Sequence, residues 1–226
     1  MPPWLQLMTD SLPTLLWAAL VFTIPLTLLS FTFGLVLGLV TAIARLFGPK
    51  PVVAAARFYV WVFRGTPLLV QLFVIFYGLP SAGILLDAFT AALIGFTLNV
   101  GAYTSEIIRA VISSVPRGQW EAAYSIGMSW SQAMRRTILP QATRVAVPPL
   151  SNTFISLVKD TSLAAAITVP ELFQTAQRIV ATTYEPLILY IEAALIYLAL
   201  SSVLSALQVR LERRFSRYGG FLEART

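Results

Sequence analysis

Cysteine and histidine are both absent from this 226-residue chain, and charged residues make up only 12% of it. Without thiols there are no disulfides and no thiol nucleophile. Cysteine and histidine metal sites and imidazole proton relays are excluded as well. Neither absence identifies a compartment. A phosphate-cradling Gly-x-x-x-x-Gly-Lys-Ser/Thr sequence is also missing, so any ATP that drives this protein is hydrolysed by another subunit. No cofactor or metal is expected on this chain itself. The opening residues, Met1-Pro2-Pro3-Trp4, carry no basic stretch, and no cleaved signal peptide is expected.

What the chain has in abundance is apolar surface, at 57% of residues. Soluble domains carry roughly 25% charged residues, so this composition reads as an all-α integral membrane protein, a single transmembrane domain over residues 1–226. Its length suits a single bundle of about five spans, since each needs ~20 apolar residues. In a soluble protein the net charge of +6 would suggest nucleic acid. In a lipid bilayer it points instead to basic residues held on the cytoplasmic side, and no nucleic-acid partner is expected.

The longest segment too polar for lipid runs from Gly118 to Pro140, with long apolar runs on both sides. Gly118 to Ile126 reads as a short helix, and Gly127 stands where a left-handed C-terminal cap wants glycine. Ser129 opens a second helix, with Gln132 three residues on completing a capping box. Trp130, Met134 and Ile138 share one face of it. Pro140 ends or kinks it. Two short helices joined at a glycine would leave Trp120, Ile126 and Met128 for an apolar contact and Arg135 and Arg136 for a charged one. An amphipathic loop lying on the bilayer surface would look similar.

Residues 11 to 44 carry no charge, a run longer than one span requires, and Pro25 is the expected kink. Gly34 and Gly38 form a Gly-x-x-x-Gly pair that permits close helix approach, or pair by chance. The second span, from Arg57 to about Leu79, is interrupted by Phe63-Arg64-Gly65-Thr66-Pro67, with Arg64 expected to snorkel. The third, about Ala88 to Ser113, carries Tyr103, Glu106 and Arg109 on one face. A carboxylate at membrane depth usually faces a bundle interior or a watery cavity, so Glu106 is either a lining group for a cation or half of a pair with Arg109. In the fourth span, Pro148-Pro149 should break or bend the helix, and Lys159 and Asp160 stand alone in the stretch from Val145 to Pro170. A discontinuous helix there would free backbone groups near the midplane, where polar solutes bind. A structural ion pair at a helix end is the alternative. The fifth span runs from Pro186 to Gln208, followed by Arg210, Arg213, Arg214, Arg217 and Arg225. With the N-terminus outside and the C-terminus cytoplasmic, 14 of the 16 basic residues fall on the cytoplasmic side, together with the 118–140 stretch.

The pattern Glu121-Ala122-Ala123, then Gly127, then Leu139-Pro140 resembles the signature loop of permease subunits of bacterial ATP-binding cassette importers. Arg64 to Pro80, Asn99 to Ala110, Gly118 to Gln141 and Pro149 to Leu172 are similar to the polar amino-acid permeases, and most to their cystine branch. Thr137 departs from the branched apolar residue the family often has there. The resemblance implies a multi-pass protein of the bacterial cytoplasmic membrane, dimerised with an identical or paralogous permease. It implies a cytoplasmic ATPase dimer that holds ATP and magnesium, docked on a coupling loop carrying Gly118, Trp120, Glu121, Ala122, Ala123, Gly127, Leu139 and Pro140. It further implies an extracytoplasmic binding protein, and a substrate path lined by Lys159, Asp160, Thr161 and Ser162 with Tyr103 and Glu106 opposite. Two other readings remain: a secondary transporter or channel using Glu106 and Asp160 as proton or cation sites, and a membrane subunit with no path of its own.

Overall fold

The structure, a computed structural model, describes residues 2–216, with side chains through residue 213. The tail arginines Arg217 and Arg225 lie outside the described residues, as does the side chain of Arg214. Every regular element is helical: α1 Pro3–Ala18, α2 Ile24–Phe47, α3 Lys50–Gly65, α4 Leu68–Phe73, α5 Ala88–Ser113, α6 Arg117–Ser125, α7 Trp130–Ala133, α8 Leu139–Asp160, α9 Leu172–Thr183 and α10 Pro186–Ser216.

Prolines explain much of the punctuation. Three single π-turns, Ala19–Thr23, Val74–Gly78 and Met134–Ile138, each end two residues before a proline: Pro25, Pro80 and Pro140. Proline cannot donate to the carbonyl four back, and its ring crowds that carbonyl. A π-turn widens the helix there, and the amides of Ile24, Leu79 and Leu139 reach carbonyls five back, at Ala19, Val74 and Met134. The first two helices therefore run on without a break from Pro3 to Phe47, and the π-turn marks the disturbance expected at Pro25. Likewise Pro140 does not end its helix. The chain stays helical from Trp130 through α8, and it passes Pro148 and Pro149 without a break. The break in that segment falls at Asp160, where a 3₁₀ stretch, Thr161–Ile167, takes over.

Among the described residues three helices are long and apolar enough to cross a membrane: Pro3–Phe47, Ala88–Ser113 and Pro186–Arg213. A fourth crossing exists if α3 and the Leu68–Ala82 segment, bent by 107°, count as one. The count of five expected from sequence also takes in α8, which carries Gln141, Arg144, Asn152, Lys159 and Asp160 and is less apolar than the other candidates.

The closest packing joins α2 to α5. Gly34 and Gly38 lie against Val100, Gly101, Thr104 and Ser105, and a methyl at Gly34 would come within 2.6 Å of Val100. Thr104 Oγ1 donates to a carbonyl of this contact, either Gly34 across the interface at 3.2 Å or Val100 in its own helix at 2.8 Å. Three apolar clusters follow. One lies mid-bundle around Leu26, Leu72, Phe96 and Leu157. One lies at the C-terminal end of α5 around Ile108, Ile112, Met134 and Ile138. The third joins α1, α9 and α10 through Leu15, Leu172 and Ile196.

Candidate functional site

Two sites emerge, an elbow at one end of the bundle and a polar cavity within it. The elbow is the α6–α7 pair. α6 closes in a Schellman motif: Gly127, at φ +75°, donates to the Tyr124 carbonyl at 2.9 Å, and Met128 donates to Ala123 at 3.1 Å. α7 opens with a reciprocal capping box, in which the Gln132 amide donates to Ser129 Oγ at 3.3 Å and the Ser129 amide to Gln132 Oε1 at 2.9 Å. Two caps back to back leave one residue with a left-handed backbone and little freedom elsewhere. The inner face of the elbow is anchored: Ala123, Ala133, Met134 and Ile138 are buried, and Trp120 and Leu139 pack beside them against α5. Phe47 and Trp130 meet edge to face at 5.0 Å. Gln141 donates to Gln119 at 2.9 Å, and the Thr137 hydroxyl donates to the Met128 sulfur at 3.9 Å. The outer face presents Gly118, Glu121, Ala122, Gly127 and Pro140, with Tyr124, Ile126 and Trp130 exposed by 45%, 73% and 44%.

The cavity, about 580 Å³, is bounded by α5 through Asn99, Tyr103 and Glu106, by the α3–α4 bend through Arg64 and Thr66, and by α8 through Asn152, Ser156 and Asp160. The α8 residues follow an i, i+4 repeat and the α5 residues a four-then-three spacing, and either lays them on one face. Glu106 is the centre of charge. Arg45 donates to it at 2.6 Å, Arg109 at 2.8 Å, and Arg64 stands off at 3.6 Å with its guanidinium 5.4 Å over the Tyr103 ring. Three guanidiniums against one carboxylate leave the cluster net cationic. Asp160 lines the same cavity. An apolar crevice of about 290 Å³ between α2, α8 and α10 offers a polar solute little beyond Thr27.

The description "Binding-protein-dependent transport system inner membrane component" fits residues 34–217, most of the chain. The chain belongs to that family. It is 54% identical over 217 residues to the L-cystine transport system permease protein TcyB of Bacillus subtilis (strain 168), covering 96% of this chain and 92% of that one. It is 41% identical to the arginine transport system permease protein ArgU of Corynebacterium glutamicum, over 88% of this chain and 67% of the other. Among solved structures, an amino acid ABC transporter crystallised with histidines superposes with a TM-score of 0.88 at 38% identity, covering 95% of this chain and 99% of its counterpart. This permease is thus a transport component rather than an enzyme.

Of the six residues singled out for the substrate path, Tyr103, Glu106 and Asp160 border one cavity. Lys159 and Ser162 border a different one, about 480 Å³, against Phe173, Tyr190 and Tyr197. Thr161 is fully buried, its hydroxyl donated to the Val158 carbonyl at 2.7 Å. Successive positions around a helix end point to different sides, so Lys159 and Asp160 part company. Among the described residues no group of three or more histidine, cysteine or acidic side chains could hold a metal.

Sequence reading missed Arg45, Asn99 and Gln71 as members of the polar centre, and Glu171. The Glu171 side chain is completely buried, accepting from the amides of Phe173 and Gln174 at 2.9 and 2.7 Å and from Tyr197 at 2.7 Å. It caps α9. The only signal for it was an acid directly before a helical run, after Pro170.

Proposed function

We propose that this permease carries a polar amino acid into the cytoplasm, cystine foremost, as the membrane subunit of an ATP-binding cassette importer. In this reading a separate cytoplasmic ATPase docks on the exposed face of the 118–140 elbow. The permease pairs with a second permease, identical or paralogous, and an extracytoplasmic binding protein delivers substrate. The N-terminus lies outside and the C-terminus in the cytoplasm of a bacterial inner membrane. ATP-driven closure of the ATPase pair brings two elbows together, and the bundle switches between outward- and inward-facing states as rigid bodies.

The observation that carries the substrate reading is that Arg64 and Asp160 line one cavity. Glu106 receives Arg45 and Arg109 at hydrogen-bond range and Arg64 only at 3.6 Å, so Arg64 is the guanidinium of the three best placed to receive a substrate carboxylate. Asp160 offers the opposite charge to an ammonium. A zwitterion satisfies both, and Asn99 and Ser156 supply neutral hydrogen bonds. The identity to a cystine permease supports cystine as the first substrate to try.

A secondary transporter binding a cation at Glu106 is disfavoured by the same contacts, because Arg45 and Arg109 already occupy both oxygens of that carboxylate. The test is co-reconstitution in liposomes with a partner ATPase and a cystine-binding protein. Cystine-stimulated ATP hydrolysis with uptake is expected. Uptake driven by a proton gradient with no ATPase present would overturn the reading.

A further inference from the structure

The α3–α4 bend exposes backbone acceptors, and one buried side chain answers them. A helix end leaves its last carbonyls without intrahelical partners, and at this 107° bend, whose residues 64–67 are exposed, side chains answer part of that need. Thr66 takes one, donating its hydroxyl to the Val62 carbonyl at 2.9 Å. The Gln71 side chain, only 7% of the residue being exposed, reaches two more, those of Phe63 and Thr66. Its Nε2 has three acceptors for two hydrogens: the Phe63 carbonyl at 2.9 Å, the Thr66 carbonyl at 3.1 Å and Thr66 Oγ1 at 2.9 Å, so one hydrogen is shared between two of them. Its Oε1 accepts from Asn99 Nδ2 on α5 at 3.0 Å, and that nitrogen also lies 3.4 Å from the Phe63 carbonyl. The amide orientations follow from the partners, since carbonyls can only accept.

Phe63 is the residue directly before Arg64. Fastening its carbonyl from both α4 and α5 fixes where the Arg64 side chain starts, and Arg64 and Asn99 border the same cavity. We infer that Gln71 is a positioning residue: with Asn99 it latches the bent helix to α5 and so aims Arg64 into the cavity. This rests on the reading of Arg64 given above. It adds a role for a residue that itself touches no substrate, and it makes Asn99 the member through which an occupied cavity would feel the latch.

The experiment is a double-substitution cycle on the complete reconstituted importer, with the ATPase, with the binding protein in excess and with L-cystine as probe. Gln71→Glu keeps the shape and the acceptor for Asn99 but removes the donors; Gln71→Met keeps the volume and removes both. Arg64→Ala is made alone and combined with each. Each Gln71 variant is expected to raise the cystine concentration for half-maximal ATPase stimulation about three- to tenfold, the loss of one or two hydrogen bonds. In the Arg64→Ala background the same substitutions should add less than about twofold, because the group they position is gone. Equal, additive increases in both backgrounds would overturn the latch and leave Arg64 as a substrate contact. If Arg64→Ala alone leaves the half-maximal concentration unchanged, the substrate reading fails instead. If neither Gln71 variant can be recovered with its ATPase, the residue serves folding rather than positioning, and the inference falls.

Discussion

Arg45 on α2 donates to the Glu106 carboxylate on α5 across 2.6 Å, one short bond joining two helices whose glycines already press together. The Arg45 side chain is 13% exposed and that of Glu106 21%. Charge and steric fit thus act on the same interface, and each can be removed separately.

Removing the charge from Glu106 leaves three guanidiniums facing one another with no counter-ion. Glu106→Gln should lower stability by about 1–3 kcal/mol, mostly through the partly buried pair with Arg45, since Arg64 and Arg109 are screened by solvent. Thermal unfolding in detergent measures it. Arg45→Met added to Glu106→Gln should recover part of the loss; a further, additive loss would mean that the two side chains do not depend on each other.

Steric fit is tested by two glycines. At Gly38 an added methyl would meet Thr104 Oγ1 and the Ser105 amide nitrogen, the latter at 3.0 Å and unable to move without the α5 backbone. Gly38→Ala should cost about 1–3 kcal/mol through overpacking. Nothing lies within 4 Å of a methyl at Gly118, which sits in α6. Gly118→Ala should be neutral or stabilising by up to about 1 kcal/mol. Equal midpoints for the two variants would contradict the packing described between α2 and α5.

Gly127 has open space but a backbone at φ +75°. Gly127→Ala should therefore cost about 1–2 kcal/mol by conformation alone, loosening the angle between α6 and α7. Substrate-stimulated ATP hydrolysis should fall, and Gly127→Asn, which tolerates that backbone, should retain more of it. Indifference of the coupled rate to both substitutions would show that the angle does not matter.

Asp160 borders the cavity far from the elbow in sequence and in packing. Asp160→Asn should weaken uptake while the ATPase is still recovered with the permease in full amount. Loss of the ATPase would make Asp160 a structural residue at the α8 break.

The elbow was legible because its grammar is local. Ser129 with Gln132, and Gly127 after a helical run, state a cap and a turn within a few residues. Proline was half legible. Pro25 and Pro140 announce disturbance, but whether a helix breaks or widens by a π-turn depends on what surrounds it, and here it widens. Pro148-Pro149 looked like the break in the fourth span, whereas the helix ends at Asp160. The charge centre was legible only in its local half, the Glu106–Arg109 pair three residues apart. Arg64 reads as a snorkelling headgroup contact and Arg45 as a cytoplasmic turn residue until α2, α3 and α5 are brought together, 61 residues separating Arg45 from Glu106. Gln71 is invisible for the same reason, since nothing near it in sequence shows that three acceptors await its amide.

A chain without native cysteine invites a single-thiol measurement. Ala122→Cys places one thiol on the exposed face of α6, beside Glu121. With the ATPase present, a short bifunctional thiol–amine reagent should join the permease to the ATPase, and Glu121→Lys in the same chain should abolish both that adduct and cystine-stimulated ATP hydrolysis while the protein still inserts. A thiol labelled only from the extracytoplasmic side, or an adduct and a coupled rate untouched by Glu121→Lys, would contradict docking through this elbow.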